Sequence, residues 1–175
     1  MLKDPLPRSL DVRKAAARGV TVSGSLSLAE MPRFLALLAS DSGRVQANVE
    51  CGRDEENHSV IAVTVEAEVS VVCQRCLEPM TLPMACSNRL AVVWTDEQAK
   101  HLPRELDPLI SEDDCRLWEM VEDELILALP AFNYHEDPNC NEILNALDEA
   151  PADEAEPDSK PNPFEVLAQL KPGKD

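Results

Sequence analysis

Glycine is scarce in this chain, five among 175 residues, and so are aromatics, with two tryptophans, one tyrosine and three phenylalanines. Scarce glycine fits poorly with a phosphate-cradling loop, and neither a G-x-S-x-G elbow nor an H-E-x-x-H zinc motif occurs. So few aromatics give no evident platform for stacking single-stranded bases. Long apolar runs are missing as well. None approaches the roughly 18 residues that cross a bilayer, and "MLKDPLPRSL" has neither the apolar stretch nor the small-residue cleavage site of a signal peptide. The expectation is a cytoplasmic protein with no membrane partner. Basic residues are the minority, 16 against 33 acidic, for a net charge of -17. That charge keeps the chain soluble and repels phosphate, so binding of nucleic acid by overall charge is excluded.

The charge is uneven. Residues 1–20 hold five basic residues against Asp4 and Asp11, whereas residues 95–158 hold 20 acidic and three basic residues. Arg13, Lys14 and Arg18 are therefore the candidate phosphate contacts, on a basic N-terminal arm. The acidic second half suits a basic protein partner.

With 44% apolar residues the chain has enough material for one core. "RVQANVEC" alternates without a fault, with Val45, Ala47, Val49 and Cys51 on one face. The pattern resumes from Ile61 to Cys73 and again over residues 80–94, and "VTVSGSLSL" offers a further strand. Consecutive strands with short links predict an α+β fold, an antiparallel sheet with one wet face packed against one or more helices. One helix is expected at about 32–39, opened by Pro32. A longer one is expected over 111–129, where Ser111 and Asp114 resemble a capping box and Pro130 is the stop. On it Glu119, Glu122 and Asp123 share the wet side at helical spacing, a candidate partner face.

The domain is expected to run over residues 1–145. Residues 146–161, acidic and rich in alanine and proline, read as a disordered tether. A terminal amphipathic helix is expected over 162–171, with Phe164 and Leu167 on the face that would meet a partner.

"SVVCQRCLEPM" places Cys73 and Cys76 between two strands. A redox pair needs a thiolate stabilised at a helix N-terminus, and here the second cysteine leads through Pro79 into a strand. Two readings stay open. A strand-to-strand turn can present two sulfurs to a tetrahedral ion, with His135 and Cys140 of "YHEDPNC" completing a Cys3His set. Or the turn simply carries two thiols. Cys51 and Cys86 on apolar strand faces, and Cys115 in the first turn of the long helix, read as packing or surface thiols. In a cytoplasm the six cysteines stay reduced.

"CQRCLEPM", then "WTDEQAKHLP", then "MVEDELILALP" with its following His and Cys, and finally "KPNPFEVLAQLK" resemble, in this order, the YceD family of large ribosomal RNA subunit accumulation proteins. The resemblance implies a bacterial, non-enzymatic factor in the synthesis, processing or stability of 23S ribosomal RNA. The partners in view are a basic ribosomal protein or an assembly factor of the large subunit, and 23S RNA itself. Structural zinc is the one cofactor in view. The alternatives are an RNA-binding module centred on the basic arm, and a CxxC thiol-disulfide protein.

Overall fold

Alternation in the sequence becomes a sheet in the computed structural model, which describes residues 4–111 and 114–141. The chain forms, in order, β1 (Ser9–Asp11), α1 (Val12–Arg18), β2 (Thr21–Leu26), a 3-10 turn (Leu28–Glu30) and α2 (Pro32–Leu35). There follow β3 (Gly43–Arg53), β4 (Ser59–Val72), β5 (Pro79–Val93), α3 (Asp96–Ala99), β6 (Asp107–Ile110), β7 (Asp114–Arg116) and α4 (Leu117–Ala128). The expected tether, the terminal helix with Phe164 and Leu167, and the domain boundary at 145 lie outside the described residues.

Strands β2 to β6 form one sheet in sequence order, antiparallel up to β5. Register follows burial. Val45, Ala47, Val49 and Cys51 face Ala67, Val65, Val63 and Ile61 across β3 and β4, and all eight are buried. A slip of one residue would turn this set to water, which fixes the pairing. The opposite face is wet, with Arg44 and Gln46 across from Glu68 and Glu66. Helices α1 and α4 cover the apolar face, and Val12, Phe34, Leu117, Val121 and Leu125 close the core.

Four features depart from the expectations. Strand β6 joins the edge parallel to β5, so the sheet is not wholly antiparallel. At that edge Val60, Ala91 and Leu106 make a small second cluster, which is why Ala91 is buried beside Leu90 and Val92 instead of alternating with them.

The basic N-terminus is not a free arm. Asp11 caps α1 by accepting from the Lys14 amide at 3.0 Å, Gly19 closes it at φ 62°, and Val12, Ala15 and Ala16 are buried. Upstream, Leu6 donates to the Ser25 carbonyl and Ser25 donates to that of Asp4.

The long helix begins at Leu117, not at residue 111. Residues Asp114–Arg116 instead pair antiparallel with Ser9–Asp11, so Cys115 is a buried strand residue and Asp114 is not the N-cap of α4. The Arg116 side chain provides no cap, and the Leu117 amide donates to the Arg8 carbonyl. A local capping pattern has lost to a pairing made with the other end of the domain. Similarly α2 stops at Leu35, and Leu37 is exposed.

Gly24 marks where the N-terminal segment lies closest to the sheet. A Cβ there would meet the backbone of Leu6 at 2.6 Å and the Asp4 carbonyl at 2.7 Å. Backbone cannot swing aside as a side chain can, so Gly24→Ala is expected to lower stability by about 2–3 kcal/mol. It should also expose the Ser25 amide to hydrogen exchange. An unchanged melting temperature would contradict this packing.

Candidate metal centre

Six residues, 73–78, link β4 to β5. The Cys73 amide donates to the Glu78 carbonyl and the Leu77 amide to the Cys73 carbonyl, both at 2.9 Å. Leu77 turns the chain with a φ of 63°, uncommon for a residue with a side chain. The tight turn points both sulfurs to one side.

The other half comes from the segment after α4. Leu129 leaves helical geometry and Pro130 follows it. The segment is tied to the turn by its backbone, as the Gln74 amide donates to the Asn133 carbonyl at 2.8 Å. Arg75 makes the second tie. Its Nη1 donates to the Asp137 carbonyl at 2.8 Å, and its guanidinium lies over the Tyr134 ring, 5.2 Å from the centroid. The Asp137 carboxylate accepts from the Asn139 amide at 2.8 Å, shaping the loop that carries Cys140.

These ties bring Cys73, Cys76, His135 and Cys140 together, with ligand atoms all within 4.8 Å of one another. Cys73 Sγ lies 3.9 Å from Cys140 Sγ, and Cys76 Sγ lies 3.3 Å from His135 Nδ1. A tetrahedral zinc ion, with bonds of about 2.3 Å to sulfur and 2.0–2.1 Å to nitrogen, sets its ligands about 3.8 Å (S to S) and 3.5 Å (S to N) apart. These two spacings are close to that geometry. They do not fit a disulfide, whose sulfurs lie about 2.05 Å apart, and all six cysteines are free thiols. Three soft sulfurs and an imidazole favour zinc over magnesium or calcium, which take oxygen.

The protonation of the cluster follows from crowding. Burial opposes charge on Cys73, yet backbone donors, with contributions from the Cys76, His135 and Arg75 positions, hold its thiol down at about 5. Cys76 shifts the other way. A backbone bond at Glu78 favours its thiolate, but burial and the Cys73 and Cys140 sulfurs push it up overall. Thiols this close resist ionising together, and a divalent cation removes that conflict. Arg75 adds a positive neighbour, with Nη1 3.5 Å from Cys140 Sγ. It would offset the net negative charge of three thiolates around a dication.

The family described as "Large ribosomal RNA subunit accumulation protein YceD" matches residues 61–171, more than half of the chain and inclusive of all four cluster residues. The chain belongs to the YceD family. A YceD relative from Haemophilus influenzae, itself named a large ribosomal RNA subunit accumulation protein, is 30% identical over 178 residues, covering 98% of this chain and 99% of the relative. No solved structure matches.

Within this YceD fold the remaining candidate residues have different surroundings. Glu119 and Asp123 are exposed on α4, but Glu122 is not on the wet side: it is 3% exposed. Its Oε1 accepts from the amides of Arg33 and Phe34 at 2.6 and 3.0 Å, and its Oε2 takes Arg33 Nε and Nη2 at 2.8 and 2.7 Å. Asp123 holds Arg33 Nη1 at 2.7 Å. One arginine thus binds two of the three carboxylates, and only an Arg at 33 could have hinted at it.

Glu124 is buried too, with Asn88 Nδ2 at 3.3 Å from Oε2, and burial pushes its carboxyl above the usual range. Arg13, Lys14 and Arg18 share helix α1. Lys14 pairs with Asp11 at 2.7 Å, Arg18 is exposed, and Arg13 stacks 3.4 Å from the Trp94 centroid. A second stack, Arg8 on Trp118 at 4.7 Å, comes from the same segment, and Trp118 Nε1 donates to the Leu6 carbonyl. Neither stack has a sequence signal, because each pair lies far apart in the chain. Among the described residues no helix is long and apolar enough to cross a membrane.

Proposed function

We propose that the chain is a non-enzymatic, cytoplasmic factor that supports accumulation of large-subunit ribosomal RNA and works by holding a protein of the assembling subunit. The near-full-length match to the Haemophilus influenzae relative carries this reading, since that relative is named for the same role. The partner is a basic ribosomal protein or assembly factor, which suits a net charge of -17. Its contacts on α4 are Glu119 and Asp123, with Phe164 and Leu167 of the C-terminal segment as a second, apolar contact. Glu122 serves this face from beneath, by fixing Arg33. Zinc at Cys73, Cys76, His135 and Cys140 would pin the segment after α4 to the β4–β5 link, a structural part and not a catalytic one.

The test is complementation of a deletion strain with a Glu119→Lys/Asp123→Lys chain, read as the ratio of 23S to 16S RNA and as proteins captured with assembling subunits. A reduced 23S share and reduced capture are expected. Unchanged values would remove α4 as the partner face.

The second reading is direct contact with 23S RNA, favoured by Arg13 lying on the exposed Trp94 ring. It predicts that the salt dependence of binding weakens when Arg13, Lys14 and Arg18 are neutralised.

A further inference from the structure

Large apolar side chains are left in water around the Cys3His cluster. Leu77, directly after Cys76 in the turn that carries two of its cysteines, is 72% exposed, and Phe132 and Tyr134, on either side of the Asn133 carbonyl that binds that turn, are 69% and 48% exposed. Single exposed apolar residues are ordinary, but three on two segments bonded to each other make a surface. The two segments are joined by the Gln74 amide, which donates to the Asn133 carbonyl, and by the Arg75 guanidinium, which donates to the Asp137 carbonyl. Side chains ordered in advance lose little freedom when a partner covers them.

Among the described residues of the two segments the exposed charges are acidic. Glu78, Glu136 and Asp137 are exposed beside the surface. Arg75, the one Lys or Arg among the described residues of these two segments, is turned to the Asp137 carbonyl, the Cys140 sulfur and the Tyr134 ring. An apolar centre with an acidic rim matches a basic segment that carries an apolar residue, and it repels phosphate.

We propose that Leu77, Phe132 and Tyr134 form a docking site for a lysine- or arginine-rich protein segment with a single apolar anchor. The inference rests on reading the chain as a factor that holds a basic protein, and it adds a surface distinct from Glu119 and Asp123. The anchor fills the apolar centre while its flanking cations meet Glu78, Glu136 and Asp137. Charge sets approach and orientation, and the anchor sets how long the complex lasts.

The test titrates the full-length, 15N-labelled protein with a short lysine-rich peptide bearing one phenylalanine, and with the same peptide bearing serine instead. Amide shifts confined to residues 72–78 and 131–138 are expected, with affinity falling at least about tenfold for the serine peptide, the loss of one buried aromatic anchor. Leu77→Ser/Phe132→Ser should weaken the phenylalanine peptide by a similar factor, whereas Glu119→Lys/Asp123→Lys should not. Because the peptide exchange is made on the unaltered protein, equal affinity for the two peptides overturns the proposal whether or not the double variant folds. So does a stronger response of the same amides to single-stranded RNA, or their shift with protein concentration alone, which would mark an interface between two copies. Failure here together with a 23S defect in the Glu119→Lys/Asp123→Lys strain removes only this surface. Loss of neither would remove the protein-holding function.

Discussion

Serine in place of Cys76 is expected to release zinc and to free the segment after α4 from the sheet. Cys76 is half-buried and serine is close to its size, so the change removes a ligand without opening a core cavity. Loss of a residue that only orients a ligand weakens metal binding by about 10–100-fold, and loss of a ligand should exceed that. The wild-type chain should purify with zinc bound at one site, and the variant should carry little. The structural consequence should be local. Residues 131–140 are held to the β4–β5 link mainly by the Gln74 amide, Arg75 and the cluster, whereas the core cluster from Val45 to Val71 is built without them. Hydrogen exchange should therefore rise at Gln74, with little change at Val63 in the middle of β4. Equal zinc in the two proteins would mean that Cys76 is not a ligand. A wild-type chain that neither contains nor takes up zinc would leave a plain hairpin turn.

The sheet was readable because burial on one face imposes a period of two, which β3 keeps from Val45 to Cys51 and β4 from Ile61 to Val71. The Cys3His set was readable for a different reason. Ligand types are few, and a CxxC between two strands together with a His and a Cys just past the long helix has few other uses. What could not be read are contacts between segments that are short and far apart. Strands β1 and β7 have three residues each, too few for any period, and they exist only because they meet. Their meeting also overrides the capping pattern at Ser111 and Asp114. Strand β6, with four residues of which Asp107, Pro108 and Ile110 are exposed, has no buried apolar period either. The aromatic shortage misled in a smaller way. Two tryptophans are few, yet each is joined to an arginine of the N-terminal segment, so the supposed arm became part of the domain.

Glu122→Ala is expected to produce the largest loss of stability among the acidic residues of α4. Helix α2 is a single turn whose preceding residue, Met31, has no side chain able to cap it. The amides of Arg33 and Phe34 at its start, two of the donors any helix leaves open, are both taken by Glu122 Oε1 from across the fold. The carboxylate is therefore a cap supplied by another helix. Alanine would strand the Phe34 amide in a buried setting and break two bonds to the Arg33 side chain.

An unmet buried donor costs roughly 1–3 kcal/mol. Arg33 is 53% exposed and can turn to water, which limits its share. A total of about 2–4 kcal/mol follows, a large part of the 5–15 kcal/mol that holds a typical domain. Glu122→Gln keeps an oxygen for the amides but turns an NH2 toward the guanidinium, so its loss should be intermediate. Asp123→Asn, at an exposed pair, should cost no more than about 1 kcal/mol. Urea midpoints at pH 7 order the three.

Acid gives an independent readout. Burial works against the Glu122 charge, but the Phe34 amide and Arg33 outweigh it and hold the carboxyl below the usual range. With a folded value below the unfolded one of about 4.3, its contribution is complete above that pH and is lost as the pH falls through the folded value. Glu122→Ala should accordingly narrow its gap to wild type at acid pH. A gap of constant size from neutral to strongly acid pH would show that the carboxylate's charge does not hold α2 in place.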